Sequence, residues 1–89
     1  MSDRVWKYEF TSGPGLIHRF SMPEGAEPLS VGMQDGTLCM WARVKPDAAE
    51  RHRPFIAIGT GRLDGVGLGA FVGRATQGSY EWHVFEVAR

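Results

Sequence analysis

The sequence has little cysteine, no long apolar run and no net charge. Its single cysteine, Cys39, excludes an intrachain disulfide and a multi-cysteine zinc site, and its apolar flanks predict a buried thiol. Lys plus Arg and Asp plus Glu each number 10, a balance that argues against duplex nucleic acid as a partner. No apolar stretch approaches the ~18 residues of a membrane span, and the N-terminus lacks the apolar core of a signal peptide. We therefore expect a cytoplasmic protein with no membrane partner.

A sustained helical period of apolar residues is also missing. Instead, short aromatic and β-branched runs alternate with Gly, Pro, Asp and Ser, which is typical of strands and turns. The runs cover residues 4–10, 16–22, 29–34, 37–44, 55–58, 70–75 and 80–87. At 89 residues the chain makes one small domain. We predict a single all-β domain over residues 1–89, an antiparallel sandwich or small barrel of six or seven strands with at most one short helical turn.

Turn residues predict which strands are neighbours. Asp35 and Gly36 tolerate the positive φ angles of a type I′ turn, so we expect a hairpin between the runs at 29–34 and 37–44. The Ser-Gly-Pro-Gly stretch at 12–15 predicts a second hairpin between the first two runs. Apolar residues on both faces place the run at 37–44 centrally and indicate that the run at 80–87 is covered on both sides.

Two segments predict irregular backbone. Residues 45–54 contain Pro46 near the start and Pro54 at the end, so we expect a loop there with at most one turn of helix, and a solvated turn at the charged cluster 51–53. Gly73 lies inside an otherwise strand-like run, which indicates a bend or a β-bulge.

A glycine-rich segment at 56–73 raises the question of phosphate binding. It is not a dinucleotide fingerprint, because Asp64 stands where the third glycine is needed and no helix follows, and the Walker sequence is absent. Two interpretations stay open: a plain connecting loop, or a turn whose backbone N–H groups face an anion. In the second, arginine neutralises the charge and an aromatic side chain stacks on a base. The candidate ligand-binding residues are Gly59, Thr60, Gly61, Arg62, Arg53, Arg74, Tyr80 and Trp82.

The sequence contains little that indicates a catalytic or metal-binding site. The three histidines lack metal-ligand spacing, and no base lies in a recognisable pairing with a nucleophile. Glu81 and Glu86 are five residues apart on a strand and so face opposite sides. We therefore expect a non-enzymatic protein without a metal or cofactor.

Four stretches together resemble a family of small uncharacterised proteins carried by bacteriophages and prophages. They are WKYEF, MPEGAEPLSVGMQDGTLCMWARVKPDA, FIAIGTG and FVGRATQGSYEWHVFE, which span Trp6 to Glu86 in matching order. In that family the Gly-Thr-Gly turn is usually followed by His-Pro, whereas Arg62 and Leu63 stand here, so a role of that histidine is not carried over. The resemblance implies a phage accessory protein in the host bacterial cytoplasm.

Two functions from different classes fit these features. The first is counter-defence by sequestering a nucleotide-derived immune signal in a pocket between subunits, which needs N–H groups, arginine and an aromatic face but no catalytic base. The second is inhibition of a host defence protein, or a structural accessory role, through an exposed strand edge or aromatic patch.

We predict that the protein is a homo-oligomer. A short chain buries a small core, and an association that covers apolar surface would stabilise it. Sedimentation velocity should therefore detect a species heavier than the 9.9 kDa chain. A single monomeric species at high micromolar concentration would contradict this prediction.

Overall fold

The fold is a two-sheet sandwich, as the sequence predicts. In the computed structural model, residues 2–61 and 66–88 are described, and they contain seven antiparallel strands and no helix. The strands are β1 (Arg4–Glu9), β2 (His18–Pro23), β3 (Glu27–Gln34), β4 (Thr37–Val44), β5 (Glu50–Gly59), β6 (Leu68–Gln77) and β7 (Tyr80–Val87). The first sheet has the order β1-β4-β3 and the second β2-β5-β7-β6. Within the described ranges no helix could cross a membrane.

The core lies between the two sheets and depends on the alternation of side chains along β4 and β5. Met40, Ala42 and Val44 of β4 are at most 1 % exposed, as are Phe55 and Ala57 of β5. β4 pairs with β1 on one side and β3 on the other, which confirms its predicted central position. Removal of these apolar side chains from water is the main favourable contribution to the stability of the sandwich.

The hairpin between β3 and β4 is confirmed. Asp35 has a φ of 50° and Gly36 a φ of 78°, the left-handed pair that a type I′ turn requires. Gln34 and Thr37 pair directly across the turn, which fixes the register of both strands.

The predicted hairpin between the first two strands is wrong. β1 pairs with β4 in the first sheet, whereas β2 pairs with β5 in the second. The apolar faces of β1 and β2 instead meet across the core, where Phe10 and Phe20 pack edge to face with ring centroids 5.1 Å apart. This facing arrangement buries Phe10 and partly buries Phe20.

The predicted loop over residues 45–54 is half correct. A turn closes where the Ala48 N–H donates to the Lys45 carbonyl, 3.0 Å away. From Glu50 onward, however, the chain is strand β5, so the charged cluster at 51–53 is not a solvated turn. The first half of β5 pairs with β2 alone, because the pairing of β5 with β7 begins at Phe55. Pro54 is tolerated there because the other side of this half is an edge without a ladder to interrupt.

Gly73 lies at the predicted irregularity. The pairing of β6 with β7 shifts register between Phe71 and Gly73. A Cβ at position 73 would stand 3.0 Å from the Val31 side chain of β3, closer than ordinary contact. The glycine therefore lets the edges of the two sheets approach each other on this side of the sandwich.

An ion pair between β5 and β7 closes one end of the core. The Arg53 guanidinium donates two hydrogen bonds to the Glu86 carboxylate, at 2.8 and 2.9 Å, and a third to the Ala26 carbonyl at 2.6 Å. The two side chains are 18 % and 21 % exposed. The hydrogen bond to Glu86 raises the pKa of Arg53, so the guanidinium stays charged.

We predict that Arg53→Met destabilises the fold by about 1.5–3 kcal/mol, because it leaves the half-buried Glu86 carboxylate without its bidentate partner. The matched control is Arg43→Met, since Arg43 forms exposed pairs with Asp3 and Glu27. That change should lower the free energy of unfolding by about 0–1 kcal/mol. Urea unfolding at neutral pH measures both, and equal losses would contradict a special role for Arg53.

Cys39 is buried, as the sequence predicts. Its side chain is 0 % exposed, and its thiol donates to the Thr37 carbonyl at 3.4 Å. Burial raises the pKa of the Cys39 thiol, so the reactive thiolate is disfavoured in the folded chain.

We therefore predict that Cys39 reacts with a thiol reagent only through opening of the structure. At mildly alkaline pH the folded protein should react far more slowly than the same protein in denaturing urea. Absorbance of the released reporter follows both reactions. Equal rates in the two conditions would show that the thiol is accessible in the native state.

Candidate ligand groove

An open groove of about 700 Å³ lies at the end of the second sheet where β5 stops and β7 starts. Its floor is the last part of β5, including Ala57 and Gly59. Tyr80 and Trp82 of β7 form one wall, and the loop residues Pro14 and Gly15 line the opposite side. Three stretches that are distant in sequence therefore meet at this groove.

The floor is open because of how β5 ends. Gly59 is the last residue of the strand and pairs with Trp82, but has no side chain to fill the space above it. Gly61 follows with a φ of 84°, a left-handed conformation that turns the chain away. The Gly15 N–H donates to the Ala57 carbonyl at 2.9 Å, which fixes the opposite wall to the floor.

The aromatic wall is formed by two residues on the same face of β7. Tyr80 and Trp82 are two positions apart, so their side chains point to one side of the strand. Their ring centroids are 5.8 Å apart with an angle of 15° between the planes. The Trp82 indole N–H donates to the Gln77 side chain at 3.0 Å, which holds the ring toward β6 and away from the floor. Tyr80 is 65 % exposed and forms the outer part of the wall.

Polar side chains form the rim of the groove. The Thr60 hydroxyl lies 2.9 Å from the His83 Nε2 atom. The Glu81 carboxylate lies 3.1 Å from the Arg74 Nε atom across the β6–β7 hairpin. Thr60 and Glu81 line the groove, and His83 and Arg74 contact them. The register puts the Arg74, Glu81 and His83 side chains on one face of the second sheet and those of Tyr80 and Trp82 on the other, so the Arg74 guanidinium is separated from the aromatic wall by the sheet.

Four of the eight residues predicted from the sequence meet here. Gly59, Thr60, Tyr80 and Trp82 line the groove. Gly61 continues the turn from Thr60. That these residues bind a ligand stays a prediction.

Arg53 and Arg74, two of the three predicted cations, do not join this arrangement; Arg74 lies on the face of the sheet opposite to Trp82. Arg53 is six residues from Gly59 along β5, roughly 20 Å away, and is held by Glu86 and the Ala26 carbonyl. Arg62 lies outside the described residues, so its predicted role in charge neutralisation stays a prediction.

Sequence reasoning missed the wall at Pro14 and Gly15. The stretch at 12–15 has the composition of a hairpin turn, so the sequence did not indicate that it lies beside β5. Only the pairing of β2 with β5 carries this loop to the groove. The sequence raised Glu81 only as a catalytic partner of Glu86. In the structure it forms an ordinary cross-strand charge pair with Arg74.

No metal site accompanies the groove in the described parts of the chain. There, no three side chains of the His, Cys, Asp and Glu types come together as metal ligands. The groove as described offers backbone groups, aromatic rings, a hydroxyl and a paired charge. This combination can hold and orient a flat molecule.

A family model for a domain of unknown function, DUF7352, matches residues 1–89. The chain belongs to the DUF7352 family. No curated protein and no solved structure is significantly similar to it. Membership in an uncharacterised family confirms only that part of the resemblance noted from the sequence, and a phage or prophage origin stays a prediction.

Proposed function

We propose that this DUF7352 protein is a non-catalytic binding protein that holds a flat ring of the nucleotide-base class in the groove. One observation carries the proposal: the stacked Tyr80–Trp82 wall stands beside a floor that Gly59 leaves open. Base rings stack on aromatic side chains with little dependence on their identity, because every base has a π-face.

The dimensions of the groove suit such a ring. β7 and the loop at Pro14 flank β5 on opposite sides, so the two walls are about 10 Å apart, twice the spacing of neighbouring strands. A ring that stands over Gly59 can contact Tyr80 or Trp82 on one face and Pro14 on the other. The volume of about 700 Å³ is within the range of small-molecule sites.

The biological setting that we propose is counter-defence. A phage accessory protein in the host bacterial cytoplasm would trap a nucleotide-derived immune signal, and binding alone is enough for this. The resemblance of the sequence to phage and prophage proteins supports the setting. The exposed position of Tyr80 supports a pocket that a second subunit completes, because the outer part of the wall faces solvent.

The alternative is inhibition of a host defence protein, or a structural accessory role, through the edge of the second sheet. β6 is an edge strand of that sheet, and its side chains Leu68 and Phe71 are 42 % and 58 % exposed. These exposed apolar side chains at the start of the strand can accept a partner by packing, whereas near Gly73 the strand lies close to Val31 of β3.

Titration calorimetry with adenosine, AMP, cyclic nucleotides and ADP-ribose tests the proposal. The wild-type chain should bind at least one member of this panel, and Tyr80→Ala should weaken that binding by about 1–3 kcal/mol through loss of stacking. Circular dichroism should be unchanged, because Tyr80 is mostly exposed.

Phe71→Ala is the matched control, since Phe71 is a similarly exposed aromatic residue that packs on Phe85, outside the groove-lining set. It should leave nucleotide binding unchanged. If the wild-type chain binds no member of the panel, the binding proposal is wrong. Loss of capture of a host protein by Phe71→Ala alone would then favour the edge-mediated alternative.

A further inference from the structure

The outer edge of β1 is open to pairing with another strand. We propose that two copies of this chain join at this edge, β1 against β1 in antiparallel orientation, with the two Tyr8 residues opposite each other at the two-fold axis. The first sheets of the two copies then form one continuous sheet. No residue of β1 lines the groove, so the inference does not rest on the binding function proposed above.

Each of the other three sheet edges lies close to a neighbour or contains proline. The β3 and β6 edges approach each other, because a Cβ at Gly73 would stand 3.0 Å from the Val31 side chain. β2 ends in Pro23, which is buried and has no N–H to donate. Within residues 2–61 and 66–88, β1 pairs with β4 alone, and it contains neither proline nor glycine. β1 therefore offers an uninterrupted row of backbone groups to a partner.

The hydrogen-bond pattern of β1 shows which of these backbone groups face outward. The Phe10 N–H donates to the Leu38 carbonyl of β4 at 2.9 Å, so these two residues are a hydrogen-bonded pair. Such pairs alternate with non-hydrogen-bonded pairs along an antiparallel ladder. The N–H and C=O groups of Val5, Lys7 and Glu9 therefore point away from β4, toward the open edge.

Charge favours a second copy as the partner and selects one register. Lys7 and Glu9 lie on the same face of β1, and their side chains are 39 % and 47 % exposed. With Tyr8 at the two-fold axis, Lys7 of each copy is directly opposite Glu9 of the other. A shift of two residues in either direction would oppose Lys7 to Lys7 or Glu9 to Glu9. Opposite charges stabilise a cross-strand pair and like charges destabilise it, so the register centred on Tyr8 is preferred.

Lys7 also discriminates against other strands. A lysine on an edge strand normally discourages strand addition. The Lys7 Nζ atom lies 3.4 Å from Glu9 Oε2 and 2.6 Å from Gln34 Oε1, in exposed contacts that contribute little to stability. A strand with a basic or apolar residue opposite Lys7 gains no charge contact, whereas a second copy supplies Glu9.

The size of the contact predicts a weak, reversible dimer. Mutual pairing of Lys7 with Glu9 provides about four backbone hydrogen bonds between the copies. Trp6 is 39 % exposed, and in this register Phe10 of the second copy lies opposite it on the same face, so the added strand covers part of the indole. Contacts of this size are typical of transient complexes rather than permanent dimers.

Sedimentation equilibrium of charge variants tests the register. Lys7→Glu makes all the charges beside the axis acidic and Glu9→Lys makes them all basic, so each variant should self-associate about 10-fold more weakly than the wild type. An equimolar mixture of the two variants should associate as tightly as the wild type, because each cross-strand pair again joins an acid to a base. Glu27→Lys is the matched control, since Glu27 is an exposed acid of β3, and it should leave association unchanged.

Amide hydrogen exchange of the wild type, followed by NMR, locates the contact. Raising the protein concentration should slow exchange at Val5, Lys7 and Glu9 more than at Trp6 and Tyr8, whose N–H groups face β4. A chain that stays monomeric at every concentration would overturn the proposal. If the chain associates but these three amides are not protected, or the mixed variants do not recover, another surface joins the copies and the proposal is equally wrong.

Discussion

The register of β5 against β7 is the constraint on which the rest of the molecule depends. It places Phe55 opposite Glu86 and Gly59 opposite Trp82. The first pairing brings Glu86 within reach of Arg53, and the second sets the aromatic wall beside the open floor. A slip of one residue would turn every side chain of β7 to the other face, which would separate Glu86 from Arg53 and remove the aromatic wall together.

The groove lies at the end of the larger of two unequal sheets. The first sheet has three strands and the second has four, and the start of β7 is left with an exposed Tyr80. The same strand carries Val84, which is 0 % exposed in the core. The middle of β7 therefore lies in the core, whereas its first residue faces solvent. Rigid strands, rather than flexible loops, therefore hold the aromatic wall.

Two arginine–glutamate pairs in this small domain differ in burial. Arg53 is enclosed and satisfied by three hydrogen bonds, so it contributes to the stability of the sandwich. Arg74 is exposed and paired once with Glu81, and a pair of that kind contributes little to stability. Water screens the second pair and not the first, because the effective dielectric around a charge falls as the charge is buried.

Local chemistry in the sequence determined several parts of the structure. Asp35 and Gly36 tolerate the positive φ angles of the β3–β4 turn. Gly73, which has no side chain, indicated the irregular pairing of β6. The apolar neighbours of Cys39 indicated its burial. The grouping of Gly59 and Thr60 with Tyr80 and Trp82 was also foreseeable, as a turn that needed an aromatic partner.

Only the tertiary structure decided which strands pair and where Arg53 and Arg74 lie relative to the groove. β1 and β2 have the composition of a hairpin but belong to different sheets, and the charged cluster at 51–53 is strand rather than turn. Strand partners are chosen by burial of whole faces across the core, a non-local quantity that no short stretch of sequence contains. The strand pairing places Pro14 at the groove and Arg53 roughly 20 Å from it.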